Sequence, residues 1–192
     1  PINAINYNDA KPIFMDIDRY YTIDIDKTVN FLNQQTNTVT KRSRNGNSKI
    51  TINKKTGRRI AALIVVHTFG NAVNLDKLVS LCRKKNIVII EDAAESVGTF
   101  YKSSKFKNKH TGTIGKIGCL SFNGNKIITA GGGGGILTND YKIAKRAKYL
   151  TTQAKDDSIY HIHNDIGYNF RLSNIQAALG LAQLELLPEY II

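Results

Sequence analysis

Apolar and polar positions fall into blocks along this chain, and the blocks change period in a regular order. Ile60-Ala61-Ala62-Leu63-Ile64-Val65-Val66 is a continuous apolar run, the pattern of a strand buried on both faces. Leu75, Leu78, Val79 and Cys82 then recur at helical spacing. Asn74 reads as the N-cap of that helix, and Arg83-Lys84-Lys85 sit near its negative C-terminal pole. A second apolar run, Ile87-Val88-Ile89-Ile90, closes at Glu91-Asp92. Strand, helix and strand of these lengths predict a right-handed parallel βαβ unit.

The same reading extends in both directions. Residues 12–18 read as a strand, and 24–32 as a short helix with Ile25, Val29 and Leu32 on one face and Asp24 as N-cap. Downstream, 117–122 and 134–138 are strand candidates, 140–150 reads as a helix, and 173–187 reads as another, with Ile175, Ala178, Leu179, Ala182 and Leu186 at helical spacing. No internal repeat interrupts the order. The class is α/β: an open, mostly parallel sheet with helices on both faces.

Composition narrows this picture. With 192 residues, 42% hydrophobic and 22% charged, the chain is long enough for one well-buried domain. No apolar run approaches the roughly 20 residues that span a bilayer. The opening Pro1-Ile2-Asn3-Ala4 lacks the basic and apolar regions of a signal peptide, so a cytoplasmic location and no membrane partner are expected. The chain does not open on Met, and it stops soon after an apolar helical pattern at Leu186-Leu187-Pro188-Glu189-Tyr190-Ile191-Ile192. Both ends read as cut, which predicts a piece of a longer chain. Cys82 and Cys119 lie far apart in apolar surroundings without C-x-x-C spacing, and read as buried thiols rather than a metal site.

The net charge is +12, and its distribution matters more than its size. Lys41, Arg42, Arg44, Lys49, Lys54, Lys55, Arg58 and Arg59 occur between positions 41 and 59 without an acid among them. Such a stretch is either a nucleic-acid patch or a solvated hairpin or loop. No aromatic residue interleaves the charges, as single-strand binding favours, so the hairpin or loop is the expectation and no nucleic-acid partner is assigned. Thr56-Gly57 marks a turn within it.

Ligands of open α/β sheets gather at the carboxyl ends of the strands. His67-Thr68-Phe69-Gly70, Glu91-Asp92-Ala93-Ala94-Glu95 and Ser121-Phe122-Asn123-Gly124-Asn125-Lys126 all fall there. Asp92, just past a buried strand, needs a cation or several donors. Taken alone it reads equally as a helix N-cap. Ala93 and Ala94 leave room for a flat ligand. Lys126 sits between Gly124-Asn125 and the apolar Ile127-Ile128. It is an exposed loop lysine on one reading, and a nucleophile with a lowered pKa on the other. Ser121 offers a hydroxyl to a phosphate, or bonds to backbone. The run from Gly131 to Gly135 lacks the context of a known phosphate loop, and poly-Gly often means close backbone packing. Together, a strand-end Asp, a Ser-x-x-x-x-Lys and a Gly-rich turn are the parts that pyridoxal 5'-phosphate requires: a lysine to form the imine, an acid for the pyridine nitrogen, and hydroxyl and amide donors for the phosphate.

These residues carry a resemblance. Glu91-Asp92-Ala93-Ala94-Glu95-Ser96, the stretch from Gly112-Thr113-Ile114-Gly115 through Ser121 to Lys126, and Gly167-Tyr168-Asn169-Phe170-Arg171 are similar to the DegT/StrS-type sugar aminotransferases, which are fold-type I pyridoxal-phosphate enzymes. Gln176-Ala177-Ala178-Leu179-Gly180 and Gln183-Leu184 fit the helix that follows in that family. The resemblance implies that Lys126 is the Schiff-base lysine and proton carrier and that Asp92 pairs with the pyridine nitrogen. It implies that Glu95 stands near the 3-hydroxyl, where many members have Gln, that Ala94 lines the cofactor and that Ser121 binds its phosphate. Asn169 is implied to reach the cofactor phosphate of a neighbouring subunit, and hence a homodimer. His67 and Arg171 are assigned near the substrate. The pattern His67-Thr68-Phe69-Gly70-Asn71 with Glu95 and Gly124-Asn125-Lys126 looks most similar to the branch that aminates C4 of a UDP-linked 4-keto-6-deoxy-N-acetylhexosamine, with glutamate as the usual donor. Amination at C3 and dehydration of a keto sugar are the alternatives on the same scaffold, and Lys126 stands where the dehydratases have His. The family is normally about twice this length, so residues 1–192 are expected to be part of the cofactor-binding large domain, without an N-terminal segment and the C-terminal small domain.

Overall fold

A computed structural model describes residues 1–43, 46–157 and 159–191; Arg44 of the basic stretch and the terminal Ile192 lie outside the described residues. Two sheets organise them. In the first, β1 (Thr36–Ser43), β2 (Gly46–Asn53) and β3 (Arg59–Ile60) run antiparallel in the order β1-β2-β3. In the second, β4 (Ala62–Val66), β5 (Val88–Asp92), β6 (Ile117–Ser121) and β7 (Gly134–Leu137) stand in the order β4-β5-β6-β7. The first three of these are parallel and β7 is antiparallel to β6. Strand order in this sheet therefore follows chain order. The helices are α1 (Ile2–Asn6), α2 (Ile25–Gln34), α3 (Asp76–Lys85), α4 (Tyr141–Thr151) and α5 (Asn174–Tyr190).

The core forms where α2 and α3 cover the parallel sheet. Val65 and Ile89 meet Leu32, Val73, Leu75, Leu78, Cys82, Ile87 and Tyr101 in one buried cluster. Each fully buried Leu or Val contributes about 1.5–3 kcal/mol. Burial pushes the Cys82 thiol up to about 11, which keeps it protonated and unreactive at neutral pH. The Tyr101 hydroxyl donates to the Val73 carbonyl at 2.9 Å, so the one polar atom its ring brings inside is satisfied.

Helix starts follow their caps. The Asp24 carboxylate accepts from the Lys27 amide, and Asp140 from those of Lys142 and Ile143. Ser173 and Gln176 form a capping box at the head of α5. At α3 the Asn74 side chain accepts from the Asp76 amide at 3.2 Å, and the N-cap itself is Leu75, one residue later than the spacing predicts.

Two expected strands differ. Residues 12–18 form no strand; only an isolated bridge joins Ile17 to Ile23. The Asp18 carboxylate accepts from the Tyr20 and Thr22 amides and from the Thr22 hydroxyl, and this local turn replaces a ladder. The apolar run 60–66 is two strands rather than one: Ile60 pairs with Thr51 in the first sheet, and Ala62 with Val88 in the second. Of the basic stretch, Lys41, Arg42 and Lys49 lie on β1 and β2, which pair from Thr36↔Asn53 to Ser43↔Gly46, Lys54, Lys55 and Arg58 lie in the turn that follows and Arg59 is on β3, in line with the hairpin-or-loop reading.

The glycine run explains itself by contact. A Cβ on Gly134 would stand 2.3 Å from the Leu120 carbonyl, and one on Gly133, where φ is +82°, 2.4 Å from Leu172. These glycines allow β7 to lie close against β6 and the chain to pass beneath Leu172. Among the described residues no helix is long and apolar enough to cross a membrane, and no cluster of His, Cys, Asp and Glu is arranged to hold a metal ion.

Candidate functional site

The carboxyl ends of β4, β5 and β6 lie side by side. Val66 is in register with Asp92, and Asp92 with Cys119. Alternation along β5 then sends its last two acids in opposite directions. Glu91 turns inward with Val65 and Ile89. Asp92 turns to the face that carries Cys119 and, two residues on, Ser121. The proximity is felt electrostatically: burial, and after it the Asp92 charge, raise the Cys119 thiol above its ordinary value.

Asp92 is half-buried. Its Oδ1 accepts from the Ala94 amide at 3.1 Å, and among the described residues no protein donor meets Oδ2. The turn that follows is made of small residues, with Ala93 fully buried and Ala94 half-buried. Ser121 ends β6, its Oγ accepting from the Asn123 amide at 3.3 Å while its own proton stays available. Beyond it the chain closes a loop in which the Phe122 carbonyl accepts from the Ala130 amide and the Thr129 hydroxyl. Lys126 sits at the tip of that loop, its amide donating to the Asn123 carbonyl. Its side chain is only 15% exposed, and Nζ lies 3.7 Å from Oε1 of Glu95. No ion pair joins Lys126 to Asp92 among the described residues.

The arrangement fits pyridoxal phosphate. A half-buried carboxylate has one oxygen free for a protonated ring nitrogen. A sheltered amine stands for an aldehyde, two alanines offer a flat wall, and a strand-end hydroxyl remains able to donate to a phosphate. Asp92, Ala94, Glu95, Ser121 and Lys126 come together at this sheet edge. Among the described residues no hydrogen bond or ion pair joins Asn169 or Arg171 to them. Both are exposed, on a segment tied to the end of α4 by the Tyr168 amide on the Leu150 carbonyl and the Phe170 amide on that of Thr151.

His67 is placed beneath the site, not at its surface. It is fully buried, and the Val73 amide donates to its Nδ1 at 3.1 Å. With Nδ1 accepting, the ring's proton is on Nε2, which donates to Oε2 of Glu91 at 2.9 Å. Both nitrogens are thus engaged, so the substrate-contact reading of His67 gives way to a positioning one. Glu91 is the residue sequence reasoning left without a role. Its Oε2 also accepts from the Gly112 amide at 2.8 Å, and its Oε1 accepts from the amides of Ile114 at 2.7 Å and Gly115 at 2.5 Å. Burial pushes this carboxyl up, but the bonds from His67, Gly115 and Gly112 outweigh it and hold the carboxyl below its ordinary value. An acid inside an apolar strand is the one signal that marks it.

Comparison with known proteins bears on the chain as a whole. Residues 1–191 match the model of the DegT/DnrJ/EryC1/StrS aminotransferase family. A protein of Bacillus subtilis strain 168 named as a pyridoxal phosphate-dependent aminotransferase, EpsN, is 45% identical over 138 residues, which is 72% of this chain and 34% of that protein. The GDP-perosamine synthase of Escherichia coli O157:H7 is 35% identical over 190 residues, covering 99% of this chain and 44% of its own length. Among solved structures, Helicobacter pylori PseC, an aminotransferase involved in the biosynthesis of pseudaminic acid, superposes with a TM-score of 0.75 at 26% identity, over 97% of this chain and 43% of its own. The chain spans less than half the length of these relatives.

Proposed function

The chain belongs to the DegT/DnrJ/EryC1/StrS aminotransferase family, and from that premise we propose that Lys126, Asp92 and Ser121 hold pyridoxal phosphate for the transfer of an amino group to a nucleotide-linked keto sugar. The observation that carries the proposal is the sheltered Lys126 amine, on the same sheet edge as a carboxylate with a free oxygen and a serine hydroxyl.

Pyridoxal phosphate, when bound, supplies an aldehyde that condenses with an amine and a ring that accepts the electron pair left when a neighbouring C–H bond breaks. Asp92 keeps a proton on the ring nitrogen facing it. Ser121 donates to the phosphate. Lys126 takes a proton from the α-carbon of the amino donor, glutamate in this reading, and in the second half-reaction delivers one to the carbon that receives nitrogen. Glu95 holds the Lys126 ammonium between these duties. Asn169, joined to none of the other groups by a hydrogen bond or ion pair among the described residues, is assigned to the cofactor phosphate of a partner subunit in a homodimer.

The finer reading is amination at C4 of a UDP-linked 4-keto-6-deoxy-N-acetylhexosamine. A GDP-linked 4-keto-6-deoxyhexose is the second reading, favoured by the 99% of this chain that aligns with a GDP-perosamine synthase. The test of the common proposal is the visible spectrum of the full-length protein with and without glutamate. A yellow protein that bleaches on glutamate addition is expected, and a colourless one overturns the proposal. NMR of the product from each keto sugar then separates the two nucleotides, and also distinguishes C4 amination from C3 amination and dehydration.

A further inference from the structure

Two turns outside the set of cofactor residues each hold an aromatic side chain in a backbone conformation that L residues rarely adopt. Phe69, in the 3-10 turn Thr68–Gly70 after β4, has φ +53° and ψ +27°. Tyr21, in the turn after Asp18, has φ +60°. Neither residue is a Gly, Asn or Asp, the types that tolerate this region, and such outliers persist only where the surroundings impose them. Here the surroundings are identifiable. The Phe69 amide donates to Oε2 of Glu95 at 2.8 Å, and the Thr99 hydroxyl donates to the Gly70 carbonyl at 3.1 Å. The Asp18 carboxylate holds the other turn through the amides of Tyr20 and Thr22, and the Asn71 side chain donates to the Tyr20 carbonyl at 3.3 Å, joining the two.

These constraints hold both rings outward rather than inward. Phe69 is 73% exposed and Tyr21 60%, and they meet edge to face with centroids 6.0 Å apart and planes at 78°. The turns that carry this exposed pair are fixed by five polar contacts, so the rings stand on backbone held in a conformation their residue types rarely adopt. The pair's position bears on what meets it. Glu95 touches the Phe69 amide with one oxygen and faces Lys126 Nζ with the other. On the keto-sugar reading the carbon that receives nitrogen must come within reach of Lys126, and the Phe69 turn is joined to that amine through Glu95, which favours the sugar ring as the part of the substrate nearest it. The base and ribose lie farther off, beyond a diphosphate.

We propose that Phe69, backed by Tyr21, is an aromatic wall that packs against the apolar C–H face of the hexose ring of the keto-sugar substrate and selects it against the amino-acid donor. This rests on the keto-sugar reading above. A hexopyranose offers a face of C–H groups, and an aromatic ring covers such a face at little entropic cost because it has only two side-chain torsions. The amino donor is acyclic and has no such face.

The two half-reactions share Lys126 and differ in ligand, so they separate the possibilities in the full-length protein. Phe69→Asn keeps a residue that tolerates positive φ and removes the ring. It is expected to raise the KM for the keto sugar about tenfold while the rate of glutamate bleaching stays within twofold, and Phe69→Tyr is expected to restore the KM. Equal losses in both half-reactions, or a lower melting temperature in place of a KM effect, mean that Phe69 serves the turn or an interface, and overturn the wall. An unchanged KM overturns it as well. Should the wild-type protein fail to bleach with glutamate, the functional reading fails first, and that result is independent of any Phe69 variant.

Discussion

Glu91 and Asp92 are consecutive carboxylates at the end of one strand, and their surroundings are opposite. Glu91 is fully buried and accepts four hydrogen bonds, from His67 and from the amides of Gly112, Ile114 and Gly115. Asp92 is half-buried and accepts one, from the Ala94 amide. A carboxylate whose lone pairs are all met by protein donors fixes the backbone around it and has nothing left for a ligand. One that keeps an oxygen unmet by protein can accept from water or from a bound group. The pleat of β5 separates the two conditions by a single residue, so a saturated carboxylate and an open one share a strand without competing for the same donors.

That contrast can be broken from either side. The largest effect is expected on the open face: Lys126→Ala in the full-length protein should lose the visible absorbance and at least about 10³-fold in amino transfer, with the fold intact by circular dichroism. Normal turnover in that variant refutes the assignment. Asp92→Asn should follow, lowering turnover by about 10²- to 10⁴-fold while shifting stability by less than about 1 kcal/mol. Glu91→Ala should do the reverse. It strands a buried imidazole and three amides, at a cost of about 3–5 kcal/mol read from urea unfolding. If Asp92→Asn destabilises the protein as much as Glu91→Ala does, the division between the two faces is not real.

Acid should expose the same division more gently. The Glu91 carboxyl is held below its ordinary value when folded, so the unfolded chain binds its proton first as pH falls. The stability it contributes is therefore complete above the unfolded carboxyl pKa of about 4.3, and is lost as pH drops below that value through the folded one. Urea midpoints taken from pH 6 to 3 should fall in this window, and the fall should shrink in Glu91→Gln. The smallest change is expected from Glu95→Gln. The partner acid is 38% exposed, and an amide oxygen can still accept from Phe69, so stability should move by no more than about 0.5 kcal/mol.

Much of this arrangement is legible in the residue order, for reasons that differ by region. The βαβ unit from β4 to β5 is legible because two apolar runs of strand length flank a helix-period segment with basic residues in its last turn. The apolar content of 12–18 misleads: Ile13, Phe14 and Ile17 are exposed and pair with no strand among the described residues, and the run ends in a turn built on the Asp18 carboxylate. The break in the run 60–66 is invisible to hydropathy, since Ile60 and Ala62 are both apolar and only their partners differ. At the site, the places of Asp92, Ser121 and Lys126 follow from strand ends and spacing. The anchoring by Glu91 does not, because three of its four donors are backbone amides 21 to 24 positions away, and an amide carries no mark of its residue type. Phe69 and Tyr21 are equally silent, since nothing in their identity announces a left-handed backbone.

The sheet whose strands stand in the order in which they are synthesised has a consequence for how the protein is made. Among the described residues each strand of this sheet from β5 onward pairs with the one that precedes it in the chain, so within β4–β7 each pairing can form as soon as its later strand is made. The hub around Glu91 closes as soon as residues 112–115 emerge. Lys126 follows Asp92 and Ser121 in chain order, so the amine proposed to react is the last of the sheet-edge groups to be added.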